Sequence, residues 1–143
     1  MSDNLAEFTL YKKEADKGNS VAQFQLALMY ESGRAVTKNY LKAIRYYELS
    51  ASNGYIQAHY NLGNIYYRQG LFSEAEPFYL KALEISKINL GLINLETNLF
   101  RWNLASNYFR NGDIEDSIDL FDKLCICFGI ECFLSYLKTP SCK

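Results

Sequence analysis

Apolar side chains recur at helical spacing along most of the chain. In residues 56–69, IQAHYNLGNIYYRQ, the side chains at 59, 62, 63 and 66 share one arc of a helical wheel, and those at 60, 64 and 67 share another. The first arc suits packing against a neighbouring helix, which leaves the second arc for solvent or a ligand. Similar spacing predicts helices over residues 40–52, 72–86 and 114–126.

The helical pattern is itself repeated. Residues 60–70, YNLGNIYYRQG, and residues 102–112, WNLASNYFRNG, are nearly the same eleven letters. At an offset of 36 residues Tyr30 falls on Tyr66, and at an offset of 42 residues Tyr66 falls on Tyr108. A repeat of this kind is typical of stacked helix pairs, in which each pair buries its apolar face against the next.

Small residues and turn residues are predicted to shape these helices. Gly63 and Ala105 are small at positions where a neighbouring helix must approach closely. Gly70 and Gly112 are expected to end their helices, because glycine readily adopts the left-handed conformation found at helix C-termini. Ser73 is the predicted N-cap of the helix that follows Gly70.

Together these features predict the fold class. We expect an all-α protein, a right-handed α-solenoid of antiparallel helix pairs with about three repeats. A chain of 143 residues is long enough for a single domain with a continuous core. The predicted parts are an N-terminal half-repeat helix (1–17), repeat 1 (18–53), repeat 2 (54–91), repeat 3 (92–128) and a C-terminal capping helix (129–143).

Charge and apolar length exclude several classes of partner. Fifteen basic and sixteen acidic residues give a formal net charge of −1, and no cluster of cations is dense enough for a nucleic-acid backbone. The longest apolar stretch, at 124–137, is too short to cross a bilayer and contains Glu131. The N-terminus lacks the pattern of a signal peptide. We therefore predict no binding to nucleic acid or membrane, and a cytoplasmic location.

The four cysteines, Cys125, Cys127, Cys132 and Cys142, all lie late in the chain. Their spacing lacks the paired C-x-x-C ligands of a zinc site, and no histidine lies nearby. We expect buried thiols in a capping helix, with a disulfide or redox role as the alternative. No metal and no cofactor are predicted.

No enzyme activity is predicted. The sequence contains no G-x-S-x-G nucleophile motif, phosphate-binding loop, dinucleotide glycine pattern or H-E-x-x-H zinc motif. The single histidine, His59, lies on the packing arc of its helix, as a structural residue would. Glu115, Asp116 and Asp119 are spread along one helix in the manner of a solvated face. The chain is therefore expected to bind rather than to catalyse.

Parts of the chain resemble two repeat families. Residues 58–85 resemble a tetratricopeptide repeat, with its L-G-x-x-Y core, a glycine, then alanine, an aromatic residue and alanine, although His59 stands where that family has tryptophan. Residues 101–124 are a looser match, and the extra length before them is similar to the lengthened repeats of kinesin light chains. Residues 15–54 resemble a Sel-one-like repeat. The resemblance implies an α-solenoid that serves as an adaptor for other proteins.

The resemblance also implies where a ligand binds. In these solenoids the first helices of successive repeats line the concave surface, so the arc not used for packing forms the candidate groove. The aligned first helices place aromatic, amide and arginine side chains in rows along this arc. The predicted peptide-binding residues are Phe24, Gln25, Tyr60, Asn61, Asn64, Tyr67, Arg68, Trp102, Asn103, Ser106, Phe109 and Arg110.

These rows suit an extended peptide. Asparagine amides donate and accept hydrogen bonds, so Asn61, Asn64 and Asn103 are expected to bind ligand backbone, as asparagines at these places do in tetratricopeptide adaptors. Aromatic rows supply contact area, and Arg68 with Arg110 favours a ligand that carries carboxylates. Two other arrangements stay open: a groove filled by the protein's own terminal helices, and a partner on the convex face.

The predicted function is a non-enzymatic one. We expect a monomeric adaptor that holds a peptide segment of another protein in its concave groove. A first alternative is a structural module that assembles end to end through residues 1–17 or 124–138. A second alternative is a regulatory receptor for a short free peptide.

Overall fold

Helices fill the part of the chain that the structure describes. The computed structural model of the protein describes residues 2–128, and side chains over residues 4–125. Residues 2–128 form seven α-helices and no strand. The predicted C-terminal capping helix, residues 129–143, lies outside the described residues. The helices are α1 (Ser2–Ala15), α2 (Ser20–Ser32), α3 (Tyr40–Ser52), α4 (Ile56–Arg68), α5 (Phe72–Leu90), α6 (Leu95–Asn111) and α7 (Ile114–Phe128).

The helix positions follow the periodicity of the sequence. The helix predicted over residues 40–52 is α3, with the same ends, and those predicted over residues 72–86 and 114–126 are α5 and α7. The predicted N-terminal helix is α1, which ends at Ala15. The all-α class is therefore confirmed, whereas the predicted boundaries between repeats stay a prediction.

Two compact units make up the chain, and the division falls inside α4. Unit 1 extends from Met1 to Leu62, and unit 2 extends from Gly63 to Lys143. In unit 1, α2 packs against both α1 and α3. In unit 2, α6 packs against both α5 and α7. Each unit is thus built around a central helix that has a neighbour on either side in the sequence.

The core of unit 1 forms along α2. Leu26 and Met29 have no exposed surface, because both α1 and α3 pack against this helix. Asn19 caps α2, since its side-chain oxygen accepts a hydrogen bond from the Ala22 N–H at 3.0 Å. Asn39 caps α3 in the same way. These caps fix where α2 and α3 begin.

Close helix approach in unit 2 depends on small residues. A Cβ atom on Gly63 would lie 2.8 Å from two carbons of the Tyr79 ring, and that ring is 1% exposed. Ala105 of α6 has no exposed surface, and its carbonyl accepts a hydrogen bond from Ser117 Oγ of α7 at 2.9 Å. The prediction that Gly63 and Ala105 admit a neighbouring helix is therefore confirmed.

Glycine ends two helices as predicted. Gly112 follows α6 with φ of +96°, and Gly70 follows α4 with φ of +78°, a conformation that glycine adopts without strain. The N-cap prediction for Ser73 is wrong. Helix α5 begins at Phe72, so that Leu71, two residues before Ser73, occupies the N-cap position without a side-chain hydrogen bond.

Candidate functional site

Four of the predicted peptide-binding residues lie in unit 1: Phe24, Gln25, Tyr60 and Asn61. Phe24 is only 9% exposed, because its ring packs against Tyr55 and Tyr47, with ring centroids 4.9 and 5.6 Å away. Phe24 therefore lies in the core of unit 1, and its predicted contact with a peptide stays a prediction. Gln25 and Tyr60 are partly buried.

Asn61 belongs to a hydrogen-bond chain that runs through Tyr47. The Asn61 Nδ2 donates to Tyr47 Oη at 3.2 Å, and the Tyr47 hydroxyl donates to Glu31 Oε2 at 2.7 Å. Tyr47 is fully buried, so this chain joins α2, α3 and α4 inside unit 1. One N–H of the Asn61 amide is thereby used within the fold of unit 1, and its second N–H and its Oδ1 remain as a donor and an acceptor for a ligand.

In unit 2, three predicted residues lie in the last turns of α4: Asn64, Tyr67 and Arg68. Asn64 Oδ1 accepts a hydrogen bond from Tyr79 Oη at 2.8 Å, so this residue would act toward a ligand as a donor. Arg68 is exposed, and its Nε donates to the Asn64 carbonyl at 3.2 Å. Both side chains are thus oriented by contacts within unit 2.

Phe72 brings residues of α4 and α6 to one surface of unit 2. The centroid of its ring lies 5.3 Å from that of Tyr67, edge to face, and the Arg110 guanidinium lies 5.6 Å from the same Phe72 ring. Phe109, next to Arg110, is 61% exposed. This surface therefore offers an aromatic ring and a cation to a partner.

Trp102 borders an apolar cleft between α6 and α7. Its side chain is 56% exposed, and its ring meets Phe121 edge-on with the centroids 5.0 Å apart. The cleft has a volume of about 360 Å³, which is enough for one or two apolar side chains. Its lining residues are Leu95, Asn98, Leu99, Trp102, Phe121, Leu124 and Cys125.

Asn98 supplies the polar group of this cleft. The residue is 2% exposed, and its Oδ1 accepts a hydrogen bond from Arg101 Nη1 at 2.7 Å. Its Nδ2 is buried without a hydrogen-bond partner among the described residues. Leaving a buried donor unsatisfied costs about 1–3 kcal/mol, so an acceptor that enters the cleft would be stabilised here.

Sequence analysis predicted only Trp102 among the residues of this cleft. Leu95, Asn98 and Leu99 were missed, although with Trp102 they recur at the i, i+3, i+4 and i+7 spacing of one helix face. The other α6 candidates lie outside the lining. Asn103 Nδ2 donates to the Leu99 carbonyl at 2.8 Å, and Ser106 is partly buried.

Cys125, which lines the cleft, is disulfide-bonded. The side chains of the other three cysteines lie outside those that the structure describes. The prediction of a buried free thiol is therefore wrong for Cys125, and the disulfide alternative is confirmed for this residue. A disulfide also means that Cys125 contributes no titratable thiol to the cleft.

Neither a metal centre nor a membrane span is found within the described residues. Among the side chains described, those of residues 4–125, no group of three or more His, Cys, Asp or Glu side chains is placed to hold a metal ion. Over residues 2–128, every helix is too short or too polar to cross a bilayer.

Tyr108 of α6 has a strongly raised pKa. Burial and the neighbouring Glu76 carboxylate raise its pKa from 10.0 to about 12, and the Tyr108 hydroxyl donates to Glu76 Oε1 at 3.1 Å. The folded-state pKa lies above the unfolded one, so the stabilisation from the neutral hydroxyl is fully present below pH 10. It is lost as the pH rises through the interval from 10.0 to about 12.

This shift predicts a distinct step in an alkaline titration. We expect tyrosinate absorbance of the folded protein to include a component with a pKa of about 12 that is absent from Tyr108→Phe. The exposed Tyr40→Phe is the control and should retain that component. Superimposable titration curves for wild type and Tyr108→Phe would contradict the assignment.

Two repeat families match adjacent parts of the chain. The sequence profile of the Sel1 repeat matches residues 20–55, and that of the Tetratricopeptide repeat matches residues 56–89. No curated protein sequence shows significant similarity to the chain. The two profiles agree with the family resemblances found from the sequence.

Solved structures show the same fold. A Sel1 repeat protein from Oxalobacter formigenes is 21% identical, with a TM-score of 0.66 over 83% of this chain and 47% of its own. The antigen c5321, described as a protective antigen of uropathogenic Escherichia coli with an SLR fold, is 25% identical, with a TM-score of 0.68 over 86% of this chain and 26% of its own. The chain thus spans about half of the first protein and a quarter of the second. These likenesses confirm the α-solenoid class.

Proposed function

Because the chain is a tetratricopeptide and Sel1 repeat protein, we propose that it holds an apolar segment of a partner protein in the cleft beside Trp102. Repeats of these families are generally protein–protein interaction modules. The observation that carries the proposal is the cleft itself. It combines an apolar lining with the amide donor of Asn98, the composition expected where a ligand is gripped by burial and oriented by few polar groups.

The surface that continues from the cleft along α6 would contact the rest of the partner segment. Trp102, Ser106 and Phe109 recur at i, i+4 and i+7, so they share one face of the helix. Arg110 lies beside this face and is exposed. We therefore expect a partner segment in which apolar side chains contact Trp102 and Phe109 and the acidic residues that follow pair with Arg110.

This role requires binding alone, and we propose that the protein is a non-enzymatic adaptor. The cleft is lined by aliphatic and aromatic side chains together with one amide and a disulfide-bonded cysteine, which gives it no general acid or base. A cytoplasmic location was predicted from the sequence. That location stays a prediction.

Trp102 is the only tryptophan in the chain, so its fluorescence tests the proposal directly. Peptides selected from a random display library against the wild-type protein should shift the emission of Trp102 when they bind. We expect Trp102→Ala to weaken these peptides by about tenfold or more, because a partly exposed tryptophan is a common binding hot spot. Affinity would be measured by calorimetry, which does not depend on the fluorophore.

Tyr40→Ala is the matched control for this experiment, since Tyr40 is a 51% exposed aromatic residue of unit 1. It should leave the affinity unchanged. Selected peptides that bind Trp102→Ala as tightly as wild type, and leave the emission unmoved, would place the binding surface elsewhere.

Self-assembly is the second candidate function, and a specific observation favours it. Leu95, Leu99 and Trp102 expose 75%, 46% and 56% of their surface, which forms an apolar face on α6 that a second copy could cover. Sedimentation over a concentration series separates the two functions. A wild-type sedimentation coefficient that rises with concentration, and that no longer rises in Leu99→Asp, would favour self-assembly. A wild-type protein that stays monomeric at all concentrations would favour the adaptor.

A further inference from the structure

A second cleft, in unit 1, gathers positive charge over stacked tyrosine rings. It lies between α1 and α3, with α2 at its base, and has a volume of about 560 Å³. Its charged lining consists of Lys12, Lys42 and Arg45 against the single carboxylate of Asp16. This local excess of cations contrasts with the net charge of −1 of the whole chain.

The floor of the cleft is preformed by aromatic packing. Tyr30 and Tyr46 are stacked, with ring centroids 5.7 Å apart and an interplanar angle of 7°. Tyr30 is 8% exposed, because the ring of Phe8 also packs against its edge at 5.8 Å. The Tyr30 ring is therefore packed on two sides, by Phe8 at its edge and by Tyr46 at its face.

Lys12 and Lys42 are oriented toward this floor from opposite walls. Lys12 Nζ on α1 lies 3.1 Å from Tyr46 Oη and 3.0 Å from Asp16 Oδ1. Lys42 Nζ on α3 lies 5.2 Å from the centre of the Tyr30 ring. The contact between Lys12 and Asp16 leaves one wall nearly neutral, so the free positive charge of the cleft is concentrated on α3.

Arg45 completes the cationic wall on α3. It is exposed and forms no ion pair with any described residue. Lys42, Arg45, Tyr46 and Leu49 lie at i, i+3, i+4 and i+7, which places them on one face of the helix. Along this face two cations are followed by an aromatic ring and then by Leu49, which is 41% exposed.

From this arrangement we infer that the unit 1 cleft binds an acidic peptide segment of a partner protein, with carboxylates against Lys42 and Arg45 and an apolar side chain toward Tyr46 and Leu49. Arginine and lysine pair with carboxylates through charge-assisted hydrogen bonds. The apolar end of the row matches a side chain of a peptide better than it matches an inorganic anion. Two cations on one helix are too few to follow a nucleic-acid backbone.

This inference is independent of the proposed function, because its residues belong to unit 1 whereas the cleft beside Trp102 belongs to unit 2. Loss of binding at one cleft would therefore leave the other testable. The two clefts differ in chemistry as well, since the one in unit 2 is apolar and the one in unit 1 is cationic.

A fluorescein-labelled peptide of Glu-Leu-Gly repeats tests the inference by fluorescence anisotropy. We expect it to bind the wild-type protein at low ionic strength and to weaken as salt is added. Lys42→Glu with Arg45→Glu should weaken it by about tenfold or more, because like charges would then oppose each other. Lys42→Glu preserves the helix, since a glutamate three residues after the Asn39 cap favours a helix start.

A control double variant distinguishes binding at this cleft from nonspecific electrostatic attraction between the peptide and the protein. Lys13→Glu with Lys38→Glu makes the same change in charge at exposed positions of unit 1 outside the cleft, and should leave the affinity near that of wild type. Equal affinity for both double variants would overturn the inference, as would equal binding of a Gln-Leu-Gly peptide or no binding of the Glu-Leu-Gly peptide. Tighter binding of inorganic phosphate or of a short DNA duplex would overturn it too.

Discussion

Tyr47→Ala should destabilise the protein by about 3–5 kcal/mol, the usual effect of deleting a buried aromatic ring. Tyr47 has no exposed surface, its ring packs against Phe24, and its hydroxyl joins Glu31 and Asn61. Removal of the side chain creates a cavity and breaks the link between three helices of unit 1. Because domains of this size are stable by only about 5–15 kcal/mol, a large part of the margin would be lost.

Urea unfolding followed by far-ultraviolet circular dichroism measures this change. Tyr47→Phe separates the ring from the hydroxyl and should cost only about 1 kcal/mol, since it removes the hydrogen bonds and keeps the packing. Tyr40→Ala, at a half-exposed position, should cost less than about 1 kcal/mol. A Tyr47→Ala variant as stable as Tyr40→Ala would show that the ring is not part of the core.

Gly63→Ala should destabilise the protein by about 2 kcal/mol, although alanine is the better helix former by about 1 kcal/mol. Unlike Gly70, Gly63 lies within a helix, so its backbone does not require glycine. The added Cβ would meet the Tyr79 ring at 2.8 Å. That ring cannot move aside easily, since it is 1% exposed and its hydroxyl donates a hydrogen bond to Asn64.

A double-mutant cycle with Tyr79→Leu tests the cause of this effect. Leucine removes the ring atoms that the new Cβ would strike, so Gly63→Ala should cost little or be favourable in that background. The free energy of unfolding of all four proteins would come from urea titrations. An equal cost of Gly63→Ala in both backgrounds would show that the Tyr79 ring is not responsible.

Helix periodicity was the most reliable information in the sequence. The ends of α3 were predicted to the residue, and Gly63 was identified as a point of close approach. Both follow from local rules, because an amphipathic spacing requires a buried face and a glycine in that face removes the side chain that would block a neighbour. The N-cap of α5 was assigned wrongly to Ser73, because the true N-cap, Leu71, has no side chain that could cap the helix and so gives no local signal.

The exposure of the predicted peptide-binding residues does not follow from their place in the repeat, as Phe24 and Trp102 show. The repeat places both residues in the same row of first helices, yet Phe24 is 9% exposed and Trp102 is 56% exposed. Tyr55 and Tyr47 cover Phe24, whereas Trp102 meets Phe121 at its edge beside an open cleft. Equivalent positions therefore differ because burial depends on which side chains neighbouring helices bring to each one.

The amino-acid sequence by itself determined the helices, since these follow from the local spacing of apolar residues, and it determined their repetition and the family, since these follow from motifs that recur along the chain. Tertiary packing decided which surfaces can bind. It placed Lys12 of α1, which contacts Tyr46, opposite Lys42 of α3, which lies over the ring of Tyr30. It also left the Asn98 Nδ2 beside Trp102 without a hydrogen-bond partner among the described residues. These side chains come together only in the folded protein. The electrostatic environment and the burial of each side chain depend on its neighbours in space rather than on separation along the chain.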